Sequence, residues 1–92
     1  MNFGEALSSL KKGEKVVRSG WNGKGMWLVL VKPAVPKEYE GEQTMYFTNY
    51  SVTSIHEDKL CHWIGMKTAD GKFVPWIASQ TDMLAEDWQV VE

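Results

Sequence analysis

Residues 15–32 read Lys15-Val16-Val17-Arg18-Ser19-Gly20-Trp21-Asn22-Gly23-Lys24-Gly25-Met26-Trp27-Leu28-Val29-Leu30-Val31-Lys32, and this stretch changes character twice. Lys15 to Arg18 is short and β-branched, which favours an extended strand. Ser19 to Gly25 is dominated by small residues and reads as a turn. Met26 to Lys32 is apolar on both faces, the pattern of a strand with a central place in its sheet. Trp21 is the anomaly. Turns bring backbone to the surface, and a large flat ring placed there can stack on a flat ligand, with glycines beside it leaving room.

Upstream, Asn2 can cap a helix and Glu5 sits where a capping-box acid belongs. Phe3, Ala6, Leu7 and Leu10 follow the spacing of one buried stripe. Gly13, after Lys11 and Lys12, stops the helix, with cations well placed at its negative end. Downstream, Pro33 and Pro36 end the second strand, and residues 33–43 form a polar loop with Glu38, Glu40 and Glu42. Thr44 to Tyr50 is rich in β-formers, residues 51–59 look irregular, and Leu60 to Lys67 is a further strand with Leu60, His62, Ile64 and Met66 on one face. Asp70-Gly71 signals a hairpin turn. Phe73 to Ile77 returns antiparallel, and Pro75 puts that strand at an edge or an end. Ser79 can cap one or two helical turns, with Asp82 three residues on. Asp87 to Val91 is the last strand. The expectation is an α+β fold in one domain over residues 1–92: an N-terminal helix, a small antiparallel sheet of about five or six strands, and one short helix near residues 79–84.

Composition sets limits. The chain has 92 residues and a net charge of −2, which argues against a general binder of nucleic-acid polymers. Residues 1–37 carry a net charge of +5 and residues 38–92 a net charge of −7. The basic part suits a small anion or the acidic surface of a sister subunit, and solvated faces of both signs fit equally well. No apolar run approaches the roughly 18–20 residues that a membrane span needs. The first residues lack the basic region and apolar stretch of a secretion signal. Cys61 is the one cysteine, so an internal disulfide and a thiolate zinc cluster are both excluded. These features favour a reducing cytoplasm.

Chemistry is thinly represented. Cys61 and His62 are neighbours on an expected strand, so they point to opposite faces, and Cys61 reads as a small core residue. His56 and His62 lack a matching ligand pair, so no metal is expected. No phosphate loop of the G-x-x-x-x-G-K-[ST] kind is present. A hydrolase could be assembled from Asp82 and Asp87, but nothing in their spacing demands it. The remaining signal is binding. Trp21 and Trp76 each lie among turn residues and offer stacking faces, worth about 1–3 kcal/mol for a nucleobase. Asn22, Ser79, Gln80, Thr81 and Asp82 supply groups suited to base edges and ribose hydroxyls. The start of the short helix at Ser79 offers a phosphate site, and Arg18, Lys24 and Lys67 could add countercharge. With equal weight, Trp76 packs in the core beside Trp63 and Trp88, and Ser79 and Asp82 only cap a helix.

Two long motifs carry a resemblance. Residues 16–28, Val-Val-Arg-Ser-Gly-Trp-Asn-Gly-Lys-Gly-Met-Trp-Leu, are similar to the R-x-G-W-N-G-K-G-M core of the Thoeris anti-defence type-two family. Residues 66–88, from Met66 through Pro75-Trp76-Ile77-Ala78-Ser79-Gln80-Thr81-Asp82 to Trp88, are similar to its second signature, and the opening Met1 to Leu7 looks like its first helix. Residues 33–62 match least well. The family comprises small bacteriophage proteins that act as sponges for immune signalling nucleotides. The resemblance implies a non-enzymatic protein, with no cofactor, that holds a cyclic ADP-ribose-type signal made from NAD by TIR-domain proteins. It implies that cyclic dinucleotides are possible second ligands, at a separate site. It further implies a homotetramer, with pockets between subunits, working in the cytoplasm of an infected bacterial host. On this reading Trp21 and Trp76 stack. Arg18, Asn22, Ser79, Gln80 and Asp82 make polar contacts, and Phe3 completes an aromatic wall from a neighbouring chain. Trp27, Trp63 and Trp88 are assigned to the core. The rival readings are a small cyclic-nucleotide phosphodiesterase using Asp82 and Asp87, and a protein-interaction module that plugs a defence effector.

Overall fold

The first helix, α1, runs Phe3–Lys11 and is fixed by its cap. The Glu5 N–H donates to Asn2 Oδ1 at 2.8 Å, and the Asn2 N–H donates to Glu5 Oε1 at 2.9 Å. This closes two of the donors that a helix start leaves without partners. At the other end the Lys12 N–H folds back to the carbonyls of Ser8 and Ser9, and Gly13 follows. Ala6, Ser9 and Leu10 form the buried stripe. The computed structural model describes residues 1–21, 24–32 and 61–92.

Among the described residues the strands are β1 (Lys15–Arg18), β2 (Trp27–Val31), β3 (Trp63–Lys67), β4 (Phe73–Pro75) and β5 (Trp88–Val91), and a short helix, α2, spans Gln80–Leu84. The strands form one sheet in the order β4-β3-β2-β1-β5. The α+β architecture is therefore as expected, with β2 in the central position that its two apolar faces imply. Strand β1 pairs antiparallel with β2 at Val16↔Leu28. It also pairs with β5, placing Lys15 opposite Val91 and Arg18 opposite Trp88. Strand β4, which carries Pro75, is an edge strand, where a missing N–H costs least.

Helix α1 lies against β1 and β5. Ala6, Leu10, Val16, Leu28 and Trp88 form the buried core, and Phe3, Trp21, Ile64, Met66 and Trp76 are among the half-buried side chains packed on it. Alternation along β2 puts Leu28 and Leu30 on this side and Trp27 on the other. Each fully buried side chain of the leucine class stabilises by about 1.5–3 kcal/mol. The chain divides into two compact units, Met1–Leu30 with Ile64–Glu92, and Val31–Trp63. The candidate site lies within the first.

Several expectations are corrected. Cys61 and His62 precede β3, and Cys61 is exposed, so it is not a core residue. Its apolar neighbours suggest a strand that begins too early. Of the three tryptophans assigned to the core, only Trp88 is buried, whereas Trp27 and Trp63 are half-buried. The Trp27 ring carries Lys15 Nζ 4.5 Å from its centroid, a cation–π contact at a partly wet face. The hairpin expected at Asp70-Gly71 is present: β3 and β4 pair antiparallel, with Asp70 and Gly71 inside the five-residue loop that joins them. Thr68 closes that loop by bonding Asp70 and accepting the Lys72 N–H, and Gly71 adopts a φ of 88°, which favours glycine. The strand expected at Thr44–Tyr50 lies outside the described residues. No helix among the described residues is long and apolar enough to cross a membrane.

Candidate functional site

The turn after β1 closes with the Trp21 N–H donating to the Arg18 carbonyl at 3.2 Å. Strand pairing continues past β4, where the Trp76 N–H donates to the Ile64 carbonyl at 2.9 Å. These two bonds bring both turn tryptophans over the start of β5. Trp21 lies 5.5 Å from Trp88 between ring centroids and nearly perpendicular to it, at 79°. Trp76 lies 6.0 Å from Trp88 at 86°. Phe3, the first residue of α1, stands 6.3 Å from Trp76 and 5.6 Å from Trp88. Buried Trp88 thus forms a floor, with Phe3, Trp21 and Trp76 around it, all half-exposed. Edge-to-face packing of this kind is the favoured arrangement of aromatic quadrupoles.

Trp21 and Trp76 are 6.4 Å apart and inclined at 59°. Sandwiching a flat ring needs parallel faces about 7 Å apart, two van der Waals gaps. The pair therefore cannot clasp a base between its rings in this geometry. Each ring can still offer an outer face.

Arg18 ends β1 opposite Trp88, and its side chain is 17% exposed. Its Nη1 donates to Asp82 Oδ1 at 2.8 Å and its Nε to Asp87 Oδ1 at 2.9 Å. Asp87 also binds the turn, because its Oδ2 accepts the Gly20 N–H at 2.9 Å and its carbonyl accepts the Ser19 N–H at 3.1 Å. A Cβ on Gly20 would stand 2.9 Å from that Oδ2, so a side chain there would push the Asp87 carboxylate aside. Asp82 reaches the other way. Its Oδ2 accepts from the Ser79 amide and hydroxyl at 3.2 and 2.8 Å, while Ser79 Oγ accepts the Asp82 N–H at 3.1 Å. The Asp82 carbonyl takes the Trp88 indole N–H at 3.0 Å.

These bonds set the charges. The strongest influence on Asp87 is the hydrogen bond from Arg18, which holds its carboxyl below the ordinary range against partial burial, with help from the Gly20 N–H. For Asp82 burial is the largest single influence and pushes upward. Hydrogen bonds from Arg18, Ser79 and the Trp21 side chain together outweigh it, and the carboxyl ends below its ordinary value. Asp87 and then Asp82 hold the Arg18 guanidinium above its already high value. All three groups stay ionised at neutral pH.

The expected site residues are thus partly gathered. Phe3, Trp21 and Trp76 meet at one aromatic cluster, and Arg18, Ser79 and Asp82 meet in one polar network beside it. Gln80 is exposed on the first turn of α2. Asn22 lies outside the described residues. At the start of α2, the candidate phosphate position, the Ser79 and Asp82 amides are taken by the capping box and the Asp82 carboxylate lies at that helix end. Lys67 donates to the Gly25 carbonyl at 2.9 Å and lies on the Trp27 side of the sheet. Two contributors are not foreseen by sequence reasoning, Trp88 as the floor and Asp87 as the anchor of the turn. Among the described residues no three His, Cys, Asp or Glu side chains converge on a metal position.

A family model for the Thoeris anti-defense 2-like domain matches residues 1–91 of this chain. The chain is also 46% identical over 91 residues to the protein named Thoeris anti-defense 2 of Bacillus phage SP01, an alignment covering 99% of this chain and 94% of that one.

Proposed function

The chain belongs to the Thoeris anti-defense 2-like family, a family of anti-defence proteins, and from that membership we propose that it is a sponge for a cyclic ADP-ribose-type immune signal. It binds the nucleotide intact, in the cytoplasm of the infected cell, and keeps it from the effector. The observation that carries the reading is the aromatic cluster: Trp21 and Trp76, both turn residues, are half-exposed over a buried Trp88 floor. Half-buried indoles of this kind have little rotamer freedom left to lose, so less affinity is spent on ordering them.

Sequestration without hydrolysis agrees with the electrostatics. A general acid or base works best with a pKa near the working pH. Asp82 and Asp87, the carboxylates a phosphodiesterase would use, are both pulled away from that range by Arg18. Their oxygens are also occupied by Arg18, Ser79 and Gly20. Assembly as a homo-oligomer, on our reading a tetramer with the ligand between subunits, gives cover to Ile77 and Leu84, which are 89% and 80% exposed.

The test is a thermal-shift and calorimetry panel of cyclic ADP-ribose isomers and cyclic dinucleotides. It is followed by heat denaturation of the complex and analysis of the released ligand. Nanomolar binding with intact ligand recovered is the expected result. Linear product would establish the hydrolase, and no heat or shift at tens of micromolar ligand would favour a protein-interaction module.

A further inference from the structure

One guanidinium ties together the two segments that present the half-buried indoles. Arg18 Nε holds Asp87, whose other oxygen and carbonyl hold the Gly20 and Ser19 amides of the Trp21 turn. Arg18 Nη1 holds Asp82, whose other oxygen holds Ser79 in the segment that follows Trp76. The carboxylates come from positions 64 and 69 residues away along the chain. The planar fork of arginine can engage two such acceptors at once, whereas a lysine ammonium is a compact point charge on a flexible stem. With two carboxylates on one cation the trio carries a formal charge of −1, so its guanidinium is already neutralised when a phosphate approaches.

We propose that Arg18 is a positioning residue, which fixes the angle between the Trp21 and Trp76 indoles through Asp82 and Asp87, and that it does not itself contact the ligand phosphate. This inference rests on the sponge reading for its consequence in binding, but not for its structural content.

The experiment compares wild type, Arg18→Lys, Arg18→Gln and Gly20→Ala. Calorimetry uses the cyclic ADP-ribose isomer that binds wild type most tightly, at several salt concentrations. The indole N–H resonances of ¹⁵N-labelled protein are recorded without ligand, with Trp21 identified by its loss in Trp21→Phe. A positioning role predicts that Lys fails to rescue: both Arg18 variants weaken binding at least tenfold, keep the wild-type salt dependence, and shift the Trp21 resonance before ligand is added. A phosphate contact predicts the reverse. Arg18→Lys would then retain affinity within about threefold, and Arg18→Gln would show reduced salt dependence. That result would overturn the proposal. If the Arg18 variants do not fold, Gly20→Ala decides. It leaves Arg18 intact and pushes on Asp87 Oδ2 from 2.9 Å. An unmoved Trp76 resonance in that variant, identified by its loss in Trp76→Phe, refutes the clamp, and a shifted one supports it. If wild type binds no nucleotide, the sponge reading fails by itself, and the ligand-free indole resonances still judge the clamp.

Discussion

Replacing Trp21 with alanine separates a binding ring from a core ring, because the two roles differ in size. A fully buried tryptophan costs about 3–5 kcal/mol when cut to alanine. Trp21 is half-buried and packs on Trp88 and Trp76. About half the full cost, ~2 kcal/mol, is therefore expected, which lowers the melting temperature by about 8–16 °C for a domain of this size. At about 0.05–0.15 kcal/mol per residue, 92 residues have roughly 5–14 kcal/mol of stability. Even the lower bound leaves ~3 kcal/mol, enough to keep more than about 99% of the chain folded. Loss of one stacked base costs a further ~1–3 kcal/mol of binding, about a 5- to 150-fold rise in Kd.

The assay is a thermal melt by circular dichroism beside calorimetry at a temperature well below the variant's transition. Trp21→Phe serves as the control, since it keeps a ring over Trp88. The alanine variant should be folded and weak in binding, and the phenylalanine variant should lie between it and wild type. Two results would refute the reasoning. An alanine variant that is unfolded at about 25 °C, where ~3 kcal/mol should remain, would make Trp21 a core residue. One that is folded with affinity within about threefold of wild type would remove Trp21 from the site.

Three further outcomes are expected. Asp82 and Asp87 have lowered pKa values in the folded chain, so their contribution to stability is present above the unfolded carboxylate pKa and is lost as pH falls through the folded values. Melting temperature should hold from about pH 8 to pH 5 and decline below about pH 4, and Asp87→Asn should flatten that decline. Leu10→Ala opens a cavity beneath α1 and should cost about 2–5 kcal/mol by chemical denaturation, with a loss under about 1 kcal/mol contradicting its core position. Gly71→Ala forces a side chain into a positive-φ conformation (88°) and should cost about 1 kcal/mol or more, without altering ligand affinity.

What can be read from the sequence is local. The cap of α1 depends on Asn2 and Glu5 three residues apart, and its stripe on Phe3, Ala6, Leu7 and Leu10, so both follow from neighbouring positions. The Ser79 and Asp82 capping box is equally local, and so is the edge position that Pro75 demands. The site needs more. Arg18 meets Asp87 only because β1 pairs with β5, with a separation of 69 positions along the chain. Nothing in the local pattern of either strand specifies that partner, and so Arg18 reads as a free countercharge. Trp76 and Trp88 are both legible as aromatic, but not that one lies edge-on to the other, because that depends on where β4 and β5 fall in the sheet. The Cys61 misassignment has the opposite origin. A run of apolar neighbours looks like strand, but β3 begins at Trp63.

On the proposed sponge reading, the cluster in one chain would be part of a binding site rather than the whole. A sponge holding its signal at nanomolar levels needs about −12 kcal/mol. One-sided stacking on Trp21 and Trp76 supplies roughly 2–6 kcal/mol of that, and their inclination of 59° excludes the tighter sandwich. Phosphate contacts must supply much of the remainder, yet Arg18 is neutralised by two carboxylates and Lys67 is turned to the Gly25 carbonyl. The missing donors must then come from beyond this cluster. A second copy of the chain, docked on the exposed Ile77 and Leu84, would bring them while burying apolar surface, so assembly and affinity would have the same cause. In that arrangement the Arg18 network keeps one half of the pocket in shape until the other half arrives.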